Sequence, residues 1–341
     1  MTIPTLTLFN NKGGVGKTSL LYHLAWMWSQ TGYCVLACDL DPQANLSAAF
    51  LPEDTLALLW NAERSTEACT IFDSVRGLQE VGDIEDPALQ SITPTLHLLP
   101  GDLALSSFEE ELAAAWPRAM DTRGLHRPFR ILTAFATVMQ RSAARVHADL
   151  ILIDAGPNLG AINRSVMLAT DHVIVPLGAD LFSLQGMRNL GTTLTHWRED
   201  WARRRTNWTE PAFPLPHGGM QPEGYVMQQH SVRLDRPTRA YERWVQRIPE
   251  VYARSLLQQT DGPYPNSPSD DCHCLATLKH YRSLIPLAQE ARKPVFELGP
   301  ADGALGSHAA AAKDARQHFR TVAQSIEARI HLKPPDTSLL S

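Results

Sequence analysis

The chain has 341 residues, 44% of them hydrophobic and 20% charged, with a net charge of −5. That length accommodates one large α/β domain with insertions, and the ordinary composition, without an apolar run long enough for a bilayer, excludes disordered and membrane-spanning classes. Five scattered cysteines suit a reducing cytoplasm better than a disulfide framework. Met1 to Phe9 lacks a basic n-region and a long apolar core, so secretion is not expected. The charge is uneven: residues 51–111 hold thirteen acids against two bases, Arg64 and Arg76, a balance of −11 that leaves +6 elsewhere. An acidic block of this kind reads as a solvated face.

Thr5 to Phe9 alternates and is β-rich, which predicts a strand, and Ser19 to Gln30 carries Leu20, Leu21, Leu24, Ala25, Met27 and Trp28 at helical spacing. Between them Gly13, Gly14 and Gly16 let the backbone curl so that successive N–H groups face an anion at the helix N-terminus. Lys17 is placed to reach terminal phosphates and Thr18 to ligate Mg²⁺. The pattern G-x-x-x-x-G-K-[ST] is complete at Gly16, Lys17 and Thr18, but its first position is Asn11, and Lys12 follows at once.

The segment Lys12-Gly-Gly-Val-Gly-Lys-Thr18 is similar to the deviant Walker A motif of the ParA/MinD family of P-loop ATPases, and to its ParA/Soj-like members without an N-terminal helix-turn-helix. The resemblance implies a three-layer α/β P-loop NTPase fold, a mostly parallel sheet with helices on both faces, here a single domain over 1–341 with insertions at about 199–223 and 234–275. It implies ATP and Mg²⁺ as cofactors, with Lys12, Gly13, Gly14, Val15, Gly16, Lys17, Thr18 and Ser19 binding nucleotide. Lys12 would act across a dimer on the partner's phosphates. Asp39-Leu-Asp-Pro-Gln-Ala-Asn45 resembles the family's D-x-D-P-Q-x-N segment, which makes Asp41 the carboxylate that holds the attacking water or the Mg²⁺ shell. Asp149-Leu-Ile-Leu-Ile-Asp154 has the Walker B form, with Asp154 binding Mg²⁺ through water. Ala155-Gly-Pro-Asn-Leu-Gly160 stands where the family has Cys-Pro-Pro-Ser-Leu-Gly, one proline fewer and so one fixed φ fewer.

Further on, a helix near Gly160 to Ala169, a buried strand from Asp171 to Pro176 and a family-like loop and helix from Leu177 to Met187 continue the strand and helix alternation of a parallel sheet. Gly224 to Gln228 reads as another strand, and Gln228 falls where relatives contact adenine. Ser283 to Glu297 looks like the family's late loop, and Leu305 to Ile330 like its closing helix. The first insertion extends a helix through Trp197 and Trp201, one turn apart and expected to pack on the body. In the second, Arg236, Arg239, Arg243 and Arg247 recur at steps of three and four on one helical face, with Tyr241, Trp244, Ile248 and Tyr252 on another. Pro249 should kink or divide that helix. The stripe reads either as solvated arginines or as a contact for DNA phosphates or an acidic partner. Cys272-His273-Cys274 has no second cluster nearby, which argues against structural zinc, and Cys34 and Cys38 read as core residues.

No Asn-Lys-x-Asp guanine reader is present, so the resemblance points to ATP rather than GTP. Paired cysteines of a metal carrier, an amphipathic C-terminal membrane helix and a tyrosine-rich tail are also not found. The expectation is a cytoplasmic ATPase, a homodimer in its ATP state, working with non-specific DNA and a stimulating partner protein and without a membrane. The other reading is a regulatory interaction module that uses hydrolysis as a timer without binding DNA.

Overall fold

In the computed structural model of the chain, residues 2–335 are described except 62–67, 81, 210–211, 230–238, 280 and 282. The described strands are β1 (Thr5–Leu8), β2 (Val35–Asp39), β3 (Gln90–Thr93), β4 (Leu96–Leu99), β5 (Leu150–Asp154), β6 (His172–Leu177), β7 (Gln221–Gln229) and β8 (Cys274–Lys279). They form one sheet in the order β3-β4-β2-β5-β1-β6-β7-β8. Among these strands only β3 runs antiparallel to its neighbour; every other adjacent pair is parallel. The three-layer α/β fold read from the sequence is therefore the fold observed.

Strands β1, β2 and β5 are buried along their whole length, as a parallel sheet covered on both faces requires. Successive side chains leave by opposite faces. Leu36, Cys38, Ile151 and Ile153 join Phe108, Phe135, Leu190 and Trp201 in one core. Val35, Ala37, Leu150 and Leu152 join Leu24, Trp28, Phe319 and Ile326 in the other. The helix Lys17–Gln30 and the closing helix Ser307–Ile330 lie on this second face, tied by Trp28 Nε1 donating to Glu327 at 2.8 Å.

The sequence reading misses β3 and β8. Cys274 opens β8 rather than lying in a loop, and Cys34 precedes β2, half-buried, while Cys38 is a core residue as expected. Trp197 and Trp201 do pack on the body, within the helix Leu181–Arg205. Trp201 stacks on Trp116 with ring centroids 6.4 Å apart, and its Nε1 donates to Pro216 O at 3.1 Å, which pins the proline-rich segment. In the second insertion one helix spans Arg239–Val245 and another Ile248–Leu256, with Pro249 in the first turn of the latter, where its missing N–H costs nothing. Ile248 and Tyr252 are fully buried. Gly191 brings the helices Leu181–Arg205 and Ile248–Leu256 together, since a Cβ there would collide with Ser255 O.

Candidate nucleotide site

The loop after β1 and the ends of β2 and β5 converge because β5 lies between β1 and β2 in register, with Asp39 opposite Asp154. Ligands of open α/β sheets bind at these carboxyl ends. Gly14 and Gly16 hold φ of 72° and 73°, a left-handed turn that side chains resist. The helix starts at Lys17 with no side-chain cap, so its first N–H groups remain for an anion. A Cβ added at Gly13 or Gly14 would meet nothing within 4 Å, so the cradle is open.

Lys17 spans this loop, its Nζ donating to Asn10 O at 3.0 Å and Lys12 O at 3.4 Å. Burial lowers its pKa, against the opposing charges of Asp154 and Asp41. Thr18 Oγ1 donates to Asp154 Oδ2 at 2.8 Å. Asp154 is fully buried, and its other oxygen, Oδ1, has no hydrogen-bond partner among the described residues. Burial first, then the nearby Asp39 charge, pushes its pKa well above the carboxylate range. A hydroxyl, an orphaned carboxylate oxygen and a second buried acid at Asp41 make a hard-oxygen donor set that suits Mg²⁺. The ion would supply the positive charge this cluster lacks.

Asp39 organises the loop that carries Asp41, a role the sequence reading does not assign. Its Oδ2 accepts from Ser47 N and Ser47 Oγ, both at 2.7 Å, and Ser47 Oγ accepts in turn from Gly101 N at 2.8 Å. Asp39 Oδ1 takes the Asp41 N–H at 3.3 Å. Burial pushes the Asp39 pKa up to about 6.

Lys12 does not point into the cradle of its own chain. Its Nζ lies 2.6 Å from Asp180 Oδ2 and 3.5 Å from Ser183 Oγ. Asp180 caps the helix Leu181–Arg205 by accepting the Ser183 N–H at 2.9 Å.

Gln228, near the end of β7, stands against the loop, Nε2 donating to Gly16 O at 3.4 Å. It lines a cavity of about 220 Å³ with Leu20, His23, Leu278, Tyr281, Val295 and Phe319. His23 is neutral: burial lowers its pKa to about 4, and its ring takes a hydrogen bond from Val295 N at 3.1 Å. Apart from Leu20 and His23 of the helix Lys17–Gln30, these walls come from β8 and the residues just past it, the late loop and the closing helix. Their signal is only the Lys293-Pro-Val-Phe-Glu297 stretch, which places Val295, while Tyr281 and Phe319 follow from no motif.

Residues 3–205 match the family described as AAA domain (AAA_31). The chain belongs to that family. It is thereby a ParA/MinD-type P-loop ATPase family member, as the motifs imply. An uncharacterized protein of Methanocaldococcus jannaschii is 26% identical over 75% of this chain and 84% of that one. The chromosome partitioning protein ParA of Caulobacter vibrioides is 29% identical over 57% of this chain, and the chain spans 62% of its length. Among solved structures, protein DIP2308 of Corynebacterium diphtheriae superposes with a TM-score of 0.68 at 22% identity, covering 96% of this chain and 99% of that one. An ATP complex of McdA from Cyanothece gives 0.61 at 16% identity, covering 95% and 96%. These two likenesses establish the fold.

This family member compensates for the proline it lacks after Asp154. Asn163 Nδ2 donates to Gly156 O at 3.0 Å and Asn158 O at 2.7 Å, closing the loop from within. Glu109 accepts the Ile162 N–H at 2.8 Å and the Ala161 N–H, capping the next helix. Glycine at 156 also leaves room for Asp41, whose Oδ1 would lie 3.3 Å from a Cβ there.

The arginine stripe is less continuous than its spacing predicts. Arg236 and the Arg239 side chain lie outside the described residues. Arg243 is exposed and Arg247 half-buried, on either side of a break between two helices, and their guanidinium carbons sit 5.9 and 5.7 Å from the Trp244 ring. Near Cys272, donor atoms of Asp271, Cys272 and His273 lie within 4.8 Å of one another. The Arg329 guanidinium stands 3.5 Å from His273 Nδ1 and donates to Cys272 O, a positive charge beside this cluster that disfavours a metal cation there.

Proposed function

We propose that the chain is a single ATPase unit with two insertions, an ATP-dependent dimerising switch of the ParA type that hydrolyses ATP to ADP and phosphate. The observation that carries this reading is the Thr18–Asp154 pair with an orphaned, buried Asp154 oxygen beside an open, uncapped phosphate loop. The loop N–H groups and Lys17 hold the triphosphate, and Thr18 and Asp154 hold Mg²⁺. When bound, Mg²⁺ neutralises charge on the phosphate oxygens. Asp41 orients the attacking water, and Gln228 with the apolar cleft receives the base. Lys12 of each subunit serves the other's phosphates. Partition or positioning of a DNA or protein cargo, in the cytoplasm and with a stimulating partner, is the proposed task, and the name of the chromosome partitioning relative supports the partition part of it. No helix among the described residues is long and apolar enough to cross a membrane.

Arg236, Arg239, Arg243 and Arg247 are the proposed DNA contacts. Duplex affinity measured with ATP across a salt series, in an Asp41→Ala background that holds the ATP state, tests them. Each neutralised phosphate contributes roughly −0.9 to the logarithmic salt slope. Reversing Arg239 and Arg243 to glutamate should weaken binding and flatten that slope, with little dependence on base sequence. Equal affinity and slope would transfer the assignment to the second reading, a protein-interaction module timed by hydrolysis. One observation favours that alternative: Arg243 and Arg247 are drawn toward Trp244 instead of standing free.

A further inference from the structure

The nucleotide cradle lies at the carboxyl ends of the strands, and a second cavity, of about 440 Å³, lies at their amino ends. Its floor is Thr5, which opens β1, and Asp171, which leads into β6. The two are locked together, Thr5 N donating to Asp171 Oδ2 at 3.1 Å and Asp171 N to Thr5 Oγ1 at 2.8 Å. One wall is the helix Ala134–Arg145, through Ala136 and Met139, and the facing wall is the proline-rich segment of the first insertion, through Phe213 and Leu215.

The second wall is built to stand off from the first. Trp201 Nε1 donates to Pro216 O at 3.1 Å, Trp208 Nε1 to Phe213 O at 3.2 Å and the Arg205 guanidinium to His217 O at 3.2 Å, so backbone carbonyls at both ends of the segment are pinned. Pro214 and Pro216 fix two of its φ angles. An apolar segment free to move would close on the apolar helix and bury both surfaces. Held as it is, the segment leaves open a volume within the range of roughly 300–1,000 Å³ that small-molecule sites occupy.

We propose that this cavity binds a small apolar anion, its hydrocarbon body against Met139 and Leu215 and its anionic group on Arg205. The charges on the lining decide the class of ligand. Arg130 is paired with Asp83 at 2.7 Å and Arg141 with Asp86 at 3.5 Å, whereas Arg205 has no carboxylate partner among the described residues. Arg205 is also exposed, which puts its charge at the mouth. At the floor the Asp171 carboxylate repels a second anion, so an anionic ligand enters with its apolar end first. A neutral apolar molecule would fill the same walls and leave the Arg205 guanidinium unused.

The test is a fluorescence titration of the full chain with 8-anilinonaphthalene-1-sulfonate, an aromatic anion that brightens in apolar surroundings, followed by competition with octanoate and with 1-octanol. The parent should bind the probe saturably, and octanoate should displace it about tenfold more effectively than the uncharged alcohol, the least that a hydrogen bond to a charged group contributes. Ala136→Phe fills the cavity and should abolish saturable binding. Arg205→Glu should remove the advantage of octanoate over octanol and leave octanol unchanged. Arg205 is exposed, so this second variant should fold as the parent does and decides the matter even if Ala136→Phe melts early. Unchanged probe affinity in a folded Ala136→Phe overturns the site, because the probe then binds elsewhere. Equal competition by octanoate and octanol, or an Arg205→Glu chain that behaves as the parent, overturns the anion. A parent without saturable binding overturns both.

Discussion

Lys12→Ala should retain measurable ATP binding while losing about 10³–10⁵-fold in turnover, the range typical of a charge supplied across an interface in phosphoryl transfer. Lys17, not Lys12, spans the cradle within one chain, donating to Asn10 O and Lys12 O, so removing the Lys12 ammonium leaves the local counter-charge in place. What disappears is the lysine that faces away from the cradle, toward Asp180. The change is expected to be nearly silent for the fold, because the ion pair it breaks is about one-third exposed and such pairs contribute about 0–1 kcal/mol. Steady-state ATPase assays paired with calorimetry separate the two effects. Turnover at the parent's rate would make Lys12 an ordinary surface residue.

Asp41→Ala should bind ATP and Mg²⁺ and turn over about 10²–10⁴-fold more slowly, the usual contribution of a positioned acid or base. Its carboxylate is buried, held by the Gln43 N–H at 3.0 Å, and stands beside Gly156 in the loop that follows Asp154. Asp39, not Asp41, carries the hydrogen bonds that shape this corner, through Ser47 to Gly101. The alanine variant should therefore keep its fold and trap the ATP state. Single-turnover quench measurements check this, and unchanged hydrolysis would remove Asp41 from the chemistry.

What was legible in the sequence was whatever is local. A strand, a glycine turn and a helix in immediate succession specify the phosphate cradle, since the N–H groups that form it lie within one short segment. Asp154 was legible because a fully buried apolar strand that ends in an acid is an unusual pattern. The Gln228 position was legible only through family resemblance, and the apolar wall facing it was not, because Leu278 on β8 and Tyr281 just past it meet Phe319 of the closing helix only in the fold. β8, Cys-Leu-Ala-Thr-Leu-Lys, is too short and mixed to stand out by periodicity. β3 is a half-buried edge strand, Gln-Ser-Ile-Thr, with almost no apolar signal. The rigidity of the loop after Asp154 illustrates the same limit: the missing proline is visible in the sequence, but Asn163 and Glu109, which compensate for it, are not identifiable until the fold brings Glu109 to the end of that loop.

The arginine stripe is divided between Arg243 and Arg247, next to Pro249, where the sequence leads one to expect a kink or break. Helical periodicity carried from Arg236 to Arg247 assumes one continuous helix, whereas the backbone breaks before Ile248 and Trp244 gathers two of the guanidinium groups. Of the apolar half of the same pattern, Ile248 and Tyr252 are buried and Trp244 is half-buried, while the Tyr241 side chain lies outside the described residues.

The central claim is that nucleotide in this cradle controls association of two copies, and sedimentation velocity of the unmodified chain tests it most directly. Samples without nucleotide, with ADP and Mg²⁺, and with ATP and Mg²⁺ would be compared at equal concentration. The account predicts monomers in the first two and dimers only with ATP and Mg²⁺, reverting as ATP is consumed. A sedimentation coefficient that is the same in all three, whether monomer or dimer, would contradict it.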